Sequence, residues 1–169
     1  MPPSTTEPTV PVLAGIGLGA NLGDARASLV AAIDALRNLP DSTLRAVSSI
    51  YRSAPIDSSG PDYLNAVVLL NTVLAPPTLL AELQRIELEH GRERPYRNAP
   101  RTLDLDLLFH GDQRIDTPAL TVPHPRLHER AFVLHPLAEI APELVIPGLG
   151  AVAGLLAGVA DQRIDRLTP

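Results

Sequence analysis

The chain has 169 residues, of which 45% are hydrophobic and 20% charged, and this balance fits one globular domain with its own core. Its net charge of −5 argues against a protein that binds nucleic acid through a broad basic face. The absence of cysteine and lysine excludes disulfides, thiolate metal sites, cysteine nucleophiles and lysine-based phosphate or Schiff-base chemistry. No apolar run reaches the roughly 20 residues of a membrane span. We therefore expect a cytoplasmic monomer with no membrane or nucleic-acid partner.

The first half of the chain is predicted to form a tail, three strands and one helix. Residues 1–11 lack the basic and apolar regions of a secretory signal, and we expect a disordered tail before a single domain at residues 12–169. The predicted elements are a strand at Val12–Gly17, a helix at Ala25–Leu39, and strands at Thr43–Tyr51 and Tyr63–Val73. Asp24 is suited to cap the helix, Pro40 ends it, and Ala54–Asp62 is a loop of turn-forming residues.

The second half begins with an amphipathic helix and continues into a strand that alternates leucine with aspartate. The predicted elements are a helix at Pro76–His90, a strand at Thr102–Phe109, a turn at His110–Asp112, a short edge strand at Gln113–Asp116, and helices at Leu134–Ile140 and Val152–Leu156. Gly91 is suited to cap the first of these helices. Pro123–Arg130 is expected to be a loop with about one helical turn, and Phe132 to anchor its far end.

The order of these elements is β-α-β-β-α-β, followed by a C-terminal extension. This order is typical of the ferredoxin-like fold, an α+β architecture in which two helices pack on one face of an antiparallel sheet. The sequence contains no internal repeat and no linker that would divide the domain.

The most informative segment runs from Gln84 to Leu108. Four arginines, at positions 92, 94, 97 and 101, lie in a stretch interrupted by glycine and proline. Asp104 and Asp106 follow in the run LDLDLL, and residues two apart on a strand project from the same face. Paired carboxylates hold hard cations, and arginines neutralise phosphate charge, so the segment suits Mg²⁺-nucleotide chemistry.

Several blocks, in this order, resemble the 6-hydroxymethyl-7,8-dihydropterin pyrophosphokinase family of folate synthesis. They are GLGANLGD, SSIYRSAP, PDYLNAVV, LQRIELEHGRER, PRTLDLDLL and VPHPRLHERAFVLHPLAEIAPEL, and they lie between Val12 and Leu149. The resemblance implies transfer of intact pyrophosphate from ATP to the hydroxymethyl group of a reduced pterin, with AMP as the other product. It also implies two Mg²⁺ ions as cofactors, and ATP and the pterin as the small-molecule partners.

The same resemblance assigns the site residues. Asp104 and Asp106 would bind the metal ions and act in catalysis with Arg92 and Arg94, which lie in a closing loop. The implied ATP-binding residues are Gln84, Glu87, Arg101, His124 and Arg130. The implied pterin-binding residues are Ser53, Ala54, Ile56, Tyr63, Asn65 and Phe132. Two aromatic rings would sandwich the flat pterin, while the asparagine reads its amide edge.

The chain departs from the family pattern at three places. Asn98–Ala99 replaces a tryptophan–glycine pair, so the contacts of that tryptophan are not transferred. Ser53–Ala54 replaces Thr-Pro but keeps the hydroxyl, and Pro125 replaces a tyrosine.

Several of the assigned residues also have a structural interpretation. Arg101 would form a salt bridge, Gln84 and Glu87 a surface pair, and Phe132 part of the core. Three other functions stay open for the whole chain: a nucleotide-sensing module, an RNA-binding α/β sandwich, and an enzyme acting on another hydroxymethyl heterocycle. The net charge disfavours the RNA-binding function, since it leaves no broad basic face.

Overall fold

The computed structural model of the protein describes residues 10–21, 23–54, 61–90 and 103–167. The strands in this part are β1 (Val12–Ala20), β2 (Ser42–Val47), β3 (Tyr51–Ser53), β4 (Tyr63–Thr72), β5 (Asp104–His110), β6 (Ile115–Asp116), β7 (Thr121–Val122), β8 (Val145–Ile146), β9 (Gly150–Ala151) and β10 (Ile164–Arg166). The α-helices are α1 (Ala25–Arg37), α2 (Pro76–His90), α3 (Ala131–Ile140) and α4 (Val152–Leu155). Short 3₁₀ helices occupy Leu127–Glu129 and Leu156–Val159.

Six of these strands form one antiparallel sheet. Its order is β10-β3-β4-β1-β5, and β2 pairs with β4 beyond the end of β3. The long strand β1 is therefore central, between β4 and β5. The remaining strands form two small ribbons, β6 with β7 and β8 with β9.

The sheet has a hydrophobic core on each face, because side chains alternate along its strands. On one face, the β1 residues Ala14, Ile16, Leu18 and Ala20 pack with buried residues of α1 and α2. On the other face, Val67 and Leu69 of β4 pack with α3 and the C-terminal segment. The fold is thus a mixed α and antiparallel β architecture, as predicted.

Local sequence signals explain where the first two helices begin. The Oδ1 atom of Asp24 accepts a hydrogen bond from the Ala27 N–H at 3.0 Å, which caps the first turn of α1. Pro76 is the first residue of α2. The backbone N–H at this position has no partner inside a helix, so the N–H that proline lacks costs no hydrogen bond. The bounds of α2 are those predicted, whereas α1 ends at Arg37, two residues before the predicted end.

Three predicted strands were wrong in position or extent. The first strand continues to Ala20 rather than ending at Gly17. The strand predicted at Thr43–Tyr51 is two strands, because Ser48 bonds to Val67 through its backbone N–H and its side chain. The strand predicted at Gln113–Asp116 is confined to two residues outside the main sheet.

The C-terminal helices also differ from the prediction. The helix predicted to begin at Leu134 begins at Ala131, which places Phe132 in its first turn rather than in the preceding loop. The helix predicted at Val152–Leu156 is one short α-helix followed by a 3₁₀ turn. Strands β7, β8, β9 and β10 were not predicted. Within the described ranges, no helix is both long and apolar enough to cross a bilayer.

Candidate active site

The paired aspartates lie on β5 and share one face of the sheet. Leu105 and Leu107 are buried in the core against α1 and α2, so the alternating Asp104 and Asp106 project towards the opposite face. Both aspartates are half-buried. The predicted common face for the two carboxylates therefore follows from the burial pattern of the strand.

The central strand β1 has glycine at the two positions that pair with these aspartates. Gly19 pairs with Asp104 on one side and with Asn65 on the other, and Gly17 pairs with Asp106. Directly paired residues of an antiparallel sheet project to the same face. Two strand spacings place Asn65 and Asp104 about 10 Å apart across Gly19. The result is a trough with a backbone floor, and we call it the glycine floor (Gly17 and Gly19).

Asn65 forms one wall of this trough. It is only 3% exposed, and its Nδ2 donates a hydrogen bond to the Ser53 Oγ at 2.8 Å. A Cβ atom placed on Gly19 would lie 3.5 Å from the Asn65 Oδ1, so this oxygen is directed over the floor. The predicted pterin-binding residues Ser53, Asn65 and Tyr63 are therefore brought together, since Ser53 pairs with Tyr63 across β3 and β4. Ala54 is exposed at the end of β3.

His124 is fixed beside β5 by its backbone and by its ring. Its N–H donates to the Leu108 carbonyl at 2.7 Å, and its Nδ1 accepts from the Arg126 N–H at 3.1 Å. With Nδ1 used as an acceptor, the neutral imidazole carries its proton on Nε2. The ring is thus held in one orientation as a hydrogen-bond donor through Nε2.

Burial and three neighbouring charges act on this histidine. Burial of the imidazole lowers the pKa of His124 below its ordinary value of 6.5. The negative charge of Asp106 opposes that shift, while the positive charges of Arg130 and Arg126 reinforce it. His124 is therefore within electrostatic reach of Asp106 and Arg130, which brings three predicted site residues into one region.

Arg130 precedes α3 and lies over an aromatic ring. Its guanidinium carbon is 5.4 Å from the centre of the Phe132 ring, in cation–π contact. Among the described residues, the Arg130 Nε is buried without a hydrogen-bond partner. Buried donors in proteins are normally satisfied, so this nitrogen is suited to a bound ligand. Phe132 is half-buried and packs against the core beneath α3.

The two α2 residues predicted to bind ATP occupy different environments. Gln84 is exposed, whereas Glu87 is half-buried. The Glu87 Oε2 accepts a hydrogen bond from the Leu105 N–H at 2.8 Å and so joins α2 to the outer edge of β5. This gives Glu87 a structural contact next to the aspartate strand, and its contact with ATP stays a prediction.

Four predicted site residues lie outside the described residues. They are Ile56, Arg92, Arg94 and Arg101. Their roles stay predictions.

Sequence reasoning missed one contributor to this region and two residues that support the elements around it. The sequence prediction placed Gly17 at the end of a strand and Gly19 in a turn. Glycines at the alternate positions 15, 17 and 19 do indicate a strand face without side chains. Glu139 and Gln162 make hydrogen bonds to residues far away in the sequence, and no local pattern marks them.

The donor set of the site suits Mg²⁺. Within the described part of the chain, no group of three or more His, Cys, Asp or Glu residues is arranged to hold a metal ion. Two carboxylates on one strand face match a cation that binds few protein oxygens and completes its shell with water and phosphate. Asp104 and Asp106 therefore fit such an ion, provided that a polyphosphate supplies further oxygens.

Comparisons with known proteins agree with the fold. The model of the 7,8-dihydro-6-hydroxymethylpterin-pyrophosphokinase (HPPK) family matches residues 15–142. A crystal structure of an HPPK-DHPS protein in complex with substrates has a TM-score of 0.71 at 13% identity, covering 88% of this chain and 43% of that one. The wild-type Plasmodium falciparum HPPK-DHPS has a TM-score of 0.70 at 14% identity, covering 91% and 45%. The chain thus spans less than half the length of these solved chains, and the likeness shows the fold alone.

Sequence relatives of similar length are much closer in identity. The 2-amino-4-hydroxy-6-hydroxymethyldihydropteridine pyrophosphokinase of Pseudomonas aeruginosa is 47% identical over 153 residues, covering 90% of this chain and 94% of that one. The protein of the same name from Haemophilus influenzae is 43% identical over 159 residues, covering 94% and 99%. The chain therefore belongs to the 7,8-dihydro-6-hydroxymethylpterin-pyrophosphokinase family of enzymes.

Proposed function

We propose that this enzyme transfers pyrophosphate from Mg²⁺-bound ATP to 6-hydroxymethyl-7,8-dihydropterin, giving AMP and the pterin diphosphate in folate synthesis. One observation carries the proposal. Gly19 lies between Asn65, a buried amide that can read a heterocycle, and Asp104, a carboxylate suited to a metal ion. An acceptor ring and a metal-bound polyphosphate would therefore meet above the glycine floor.

The pterin side of the site is argued from hydrogen-bonding capacity and ring stacking. The Asn65 Oδ1 is directed over Gly19 and can accept from the amino or ring N–H groups of a pterin. The Ser53 hydroxyl holds the Asn65 amide in this orientation. Tyr63 and Phe132 supply rings for stacking, and Ala54 and Ile56 would complete the apolar rim.

The phosphate side is argued from charge. His124 can donate through Nε2, and Arg130 has a buried Nε that lacks a partner within the described residues. Both groups match the anionic oxygens of a polyphosphate. We assign Arg101, Gln84 and Glu87 to the same nucleotide, and Arg92 and Arg94 to the transferring phosphates.

Asp104 and Asp106 would hold two Mg²⁺ ions. When bound, the ions neutralise negative charge on the attacking and leaving oxygens of the phosphate chain. In this proposal no side chain of the described residues acts as a nucleophile, and no covalent intermediate forms on the enzyme. The oxygen of the pterin hydroxyl forms the new bond to the β-phosphorus and its proton passes to solvent, while the bond from that phosphorus to the α-phosphate oxygen breaks and AMP leaves. The task of the protein is to align the two substrates and to exclude water.

The proposal also covers the location, the oligomeric state, the partners and the type of sheet. We propose a cytoplasmic monomer without nucleic-acid or membrane partners. We also propose that the sheet is of the ferredoxin-like type, which is supported by the run of strands β2-β4-β1-β5 and by the two helices on one face.

An assay of AMP release tests the proposal directly. ATP, Mg²⁺ and 6-hydroxymethyl-7,8-dihydropterin are incubated with the enzyme, with a control that lacks the pterin. We expect AMP only when the pterin is present. ADP as the product would indicate ordinary phosphoryl transfer, and tight ATP binding without turnover would favour a nucleotide sensor.

A matched pair of variants tests the metal assignment. Asp106→Asn should lower AMP release by about 100-fold or more, since a metal contact supplies several kcal/mol of transition-state stabilisation. Asp112→Asn removes an exposed carboxylate just beyond β5 and should leave the rate unchanged. Near-normal turnover of the Asp106 variant at saturating Mg²⁺ would contradict the assignment.

A further inference from the structure

We propose that Gln162 is a positioning residue for Arg130, so that the C-terminal segment sets the geometry of the ATP-binding arginine. The inference rests on the proposed function of Arg130. Gln162 lies in the turn before β10, outside the site described above. Its contacts with the backbone on both sides of Arg130 carry the inference.

The carboxamide of Gln162 bonds to the two backbone groups that flank Arg130. Its Oε1 accepts from the Ala131 N–H at 2.9 Å, and its Nε2 donates to the Glu129 carbonyl at 2.7 Å. Both ends of one side-chain amide are therefore used, at positions immediately before and after the arginine. These two bonds define what we call the Gln162 clamp.

The clamp supplies a helix cap that the local sequence lacks. Arg130 is the N-cap residue of α3, with an extended backbone at φ −122° and ψ 113°, and its own side chain makes no capping bond. The first N–H groups of a helix have no partner inside the helix. Gln162 satisfies the first of them from 31 residues away. Without it, the residue that begins α3 would lose its anchor.

Gln162 is itself held by the fold, although its side chain is exposed. Its backbone N–H donates to the Val159 carbonyl at 3.0 Å, and Val159 is fully buried in the core beneath α3. On its other side, β10 pairs with β3 from Ile164 onwards. The clamp is thus fixed to the sheet and to the core, which makes it a rigid support.

Fixing the Arg130 backbone sets the point from which its side chain reaches the site. The guanidinium lies over the Phe132 ring in the first turn of α3. Its charge acts on His124, which in turn lies within reach of Asp106. A small displacement of a positioned group is enough to reduce binding and rate by one or two orders of magnitude. Loss of the clamp should therefore weaken ATP binding more than pterin binding.

The test compares Gln162→Met with the wild type. Methionine keeps the length of the side chain but makes neither hydrogen bond. The primary measurement is calorimetric binding of α,β-methylene-ATP with Mg²⁺, which needs no turnover. We expect roughly tenfold weaker binding, and a larger rise in the KM for ATP than in the KM for pterin. Asp161→Ala, an exposed neighbour in the same turn, should match the wild type.

A double-mutant cycle separates positioning from general stability. If Gln162 acts through Arg130, Gln162→Met should have no further effect on analogue binding in an Arg130→Ala background. Gln162→Glu keeps the acceptor for the Ala131 N–H and should restore part of the affinity. Equal losses in both backgrounds, or unchanged analogue binding in Gln162→Met, would overturn the proposal. Absence of pterin-dependent AMP release in the wild type would instead count against the proposed function, because the binding cycle does not depend on the acceptor.

Discussion

Replacing Glu139 should loosen the connection between α3 and the edge of the sheet. The carboxylate accepts hydrogen bonds from the Tyr51 hydroxyl at 2.8 Å, from the Ser49 N–H at 3.0 Å and from the Ser49 hydroxyl at 2.9 Å. Arg166 of β10 adds a contact at 3.3 Å. The side chain of Glu139 is 19% exposed, so these partners have limited access to water.

The contacts set the size of the expected effect. In Glu139→Ala, the Tyr51 hydroxyl and the Ser49 N–H lose a charged acceptor, at about 1–2 kcal/mol each. The contact with Arg166 adds less than about 1 kcal/mol, because that side chain is 60% exposed. We expect the free energy of unfolding to fall by about 3 kcal/mol, which lowers Tm by about 6–12 °C in a domain of this size. Glu139→Gln retains one acceptor oxygen and should lose about half as much.

The stability that Glu139 contributes should also depend on pH in a predictable direction. Burial alone would raise the pKa of Glu139, but hydrogen bonds from Tyr51 and Ser49 and the charge of Arg166 outweigh burial, and the net pKa is below 4.5. The folded state therefore favours the charged carboxylate. Its contribution to stability is complete above pH 4.5 and is lost as the pH falls through the lower folded value. The stability difference between the wild type and Glu139→Gln should shrink over that range.

Urea unfolding followed by circular dichroism measures these differences. Glu143→Gln, an exposed carboxylate four residues further along the chain, is the matched control and should leave the midpoint unchanged. A loss below about 0.5 kcal/mol in Glu139→Ala, the usual range for surface substitutions, would refute the reasoning. So would a gap between the wild type and Glu139→Gln that stays constant down to pH 3.

Substitutions at two glycines of β1 should separate stability from activity. Gly15→Ala should lower the free energy of unfolding by about 1–3 kcal/mol, because the added methyl group overlaps the Phe109 ring; an unchanged urea midpoint would contradict this. Gly19→Ala should change stability by less than about 1 kcal/mol, since its Cβ would make an ordinary contact with Asn65. The same methyl group should raise the KM for pterin, and a wild-type KM would count against the glycine floor as a substrate surface. Asp24→Ala should cost about 1 kcal/mol through loss of the α1 cap, whereas a variant with asparagine should unfold like the wild type.

Elements with a local signal were predicted well. The alternation LDLDLL predicted both the strand and the common face of Asp104 and Asp106, because burial of every second leucine fixes the direction of the residues between them. The helix at Pro76–His90 has its apolar residues at helical spacing and a proline at its first position, and its bounds are as predicted. In both cases the physical cause lies within a few residues of the effect.

Elements that depend on remote contacts were not predicted. Helix α3 was expected three residues too late, since its first turn is capped by Gln162 rather than by a nearby side chain. The break between β2 and β3 depends on bonds from Ser48 to Val67, which are 19 residues apart. Strand β10 is three residues long and forms because β3 offers it an unpaired edge. No periodic pattern in the sequence predicts these contacts.

The glycine floor has a consequence for inhibitor resistance. A compound that rests on Gly17 and Gly19 touches main-chain atoms, and no substitution can take such a contact away by trimming a side chain. Every change at these positions adds bulk to a surface that the enzyme's own pterin must share in the proposed reaction. Inhibitors designed against this surface would therefore force a resistant variant to give up part of its activity.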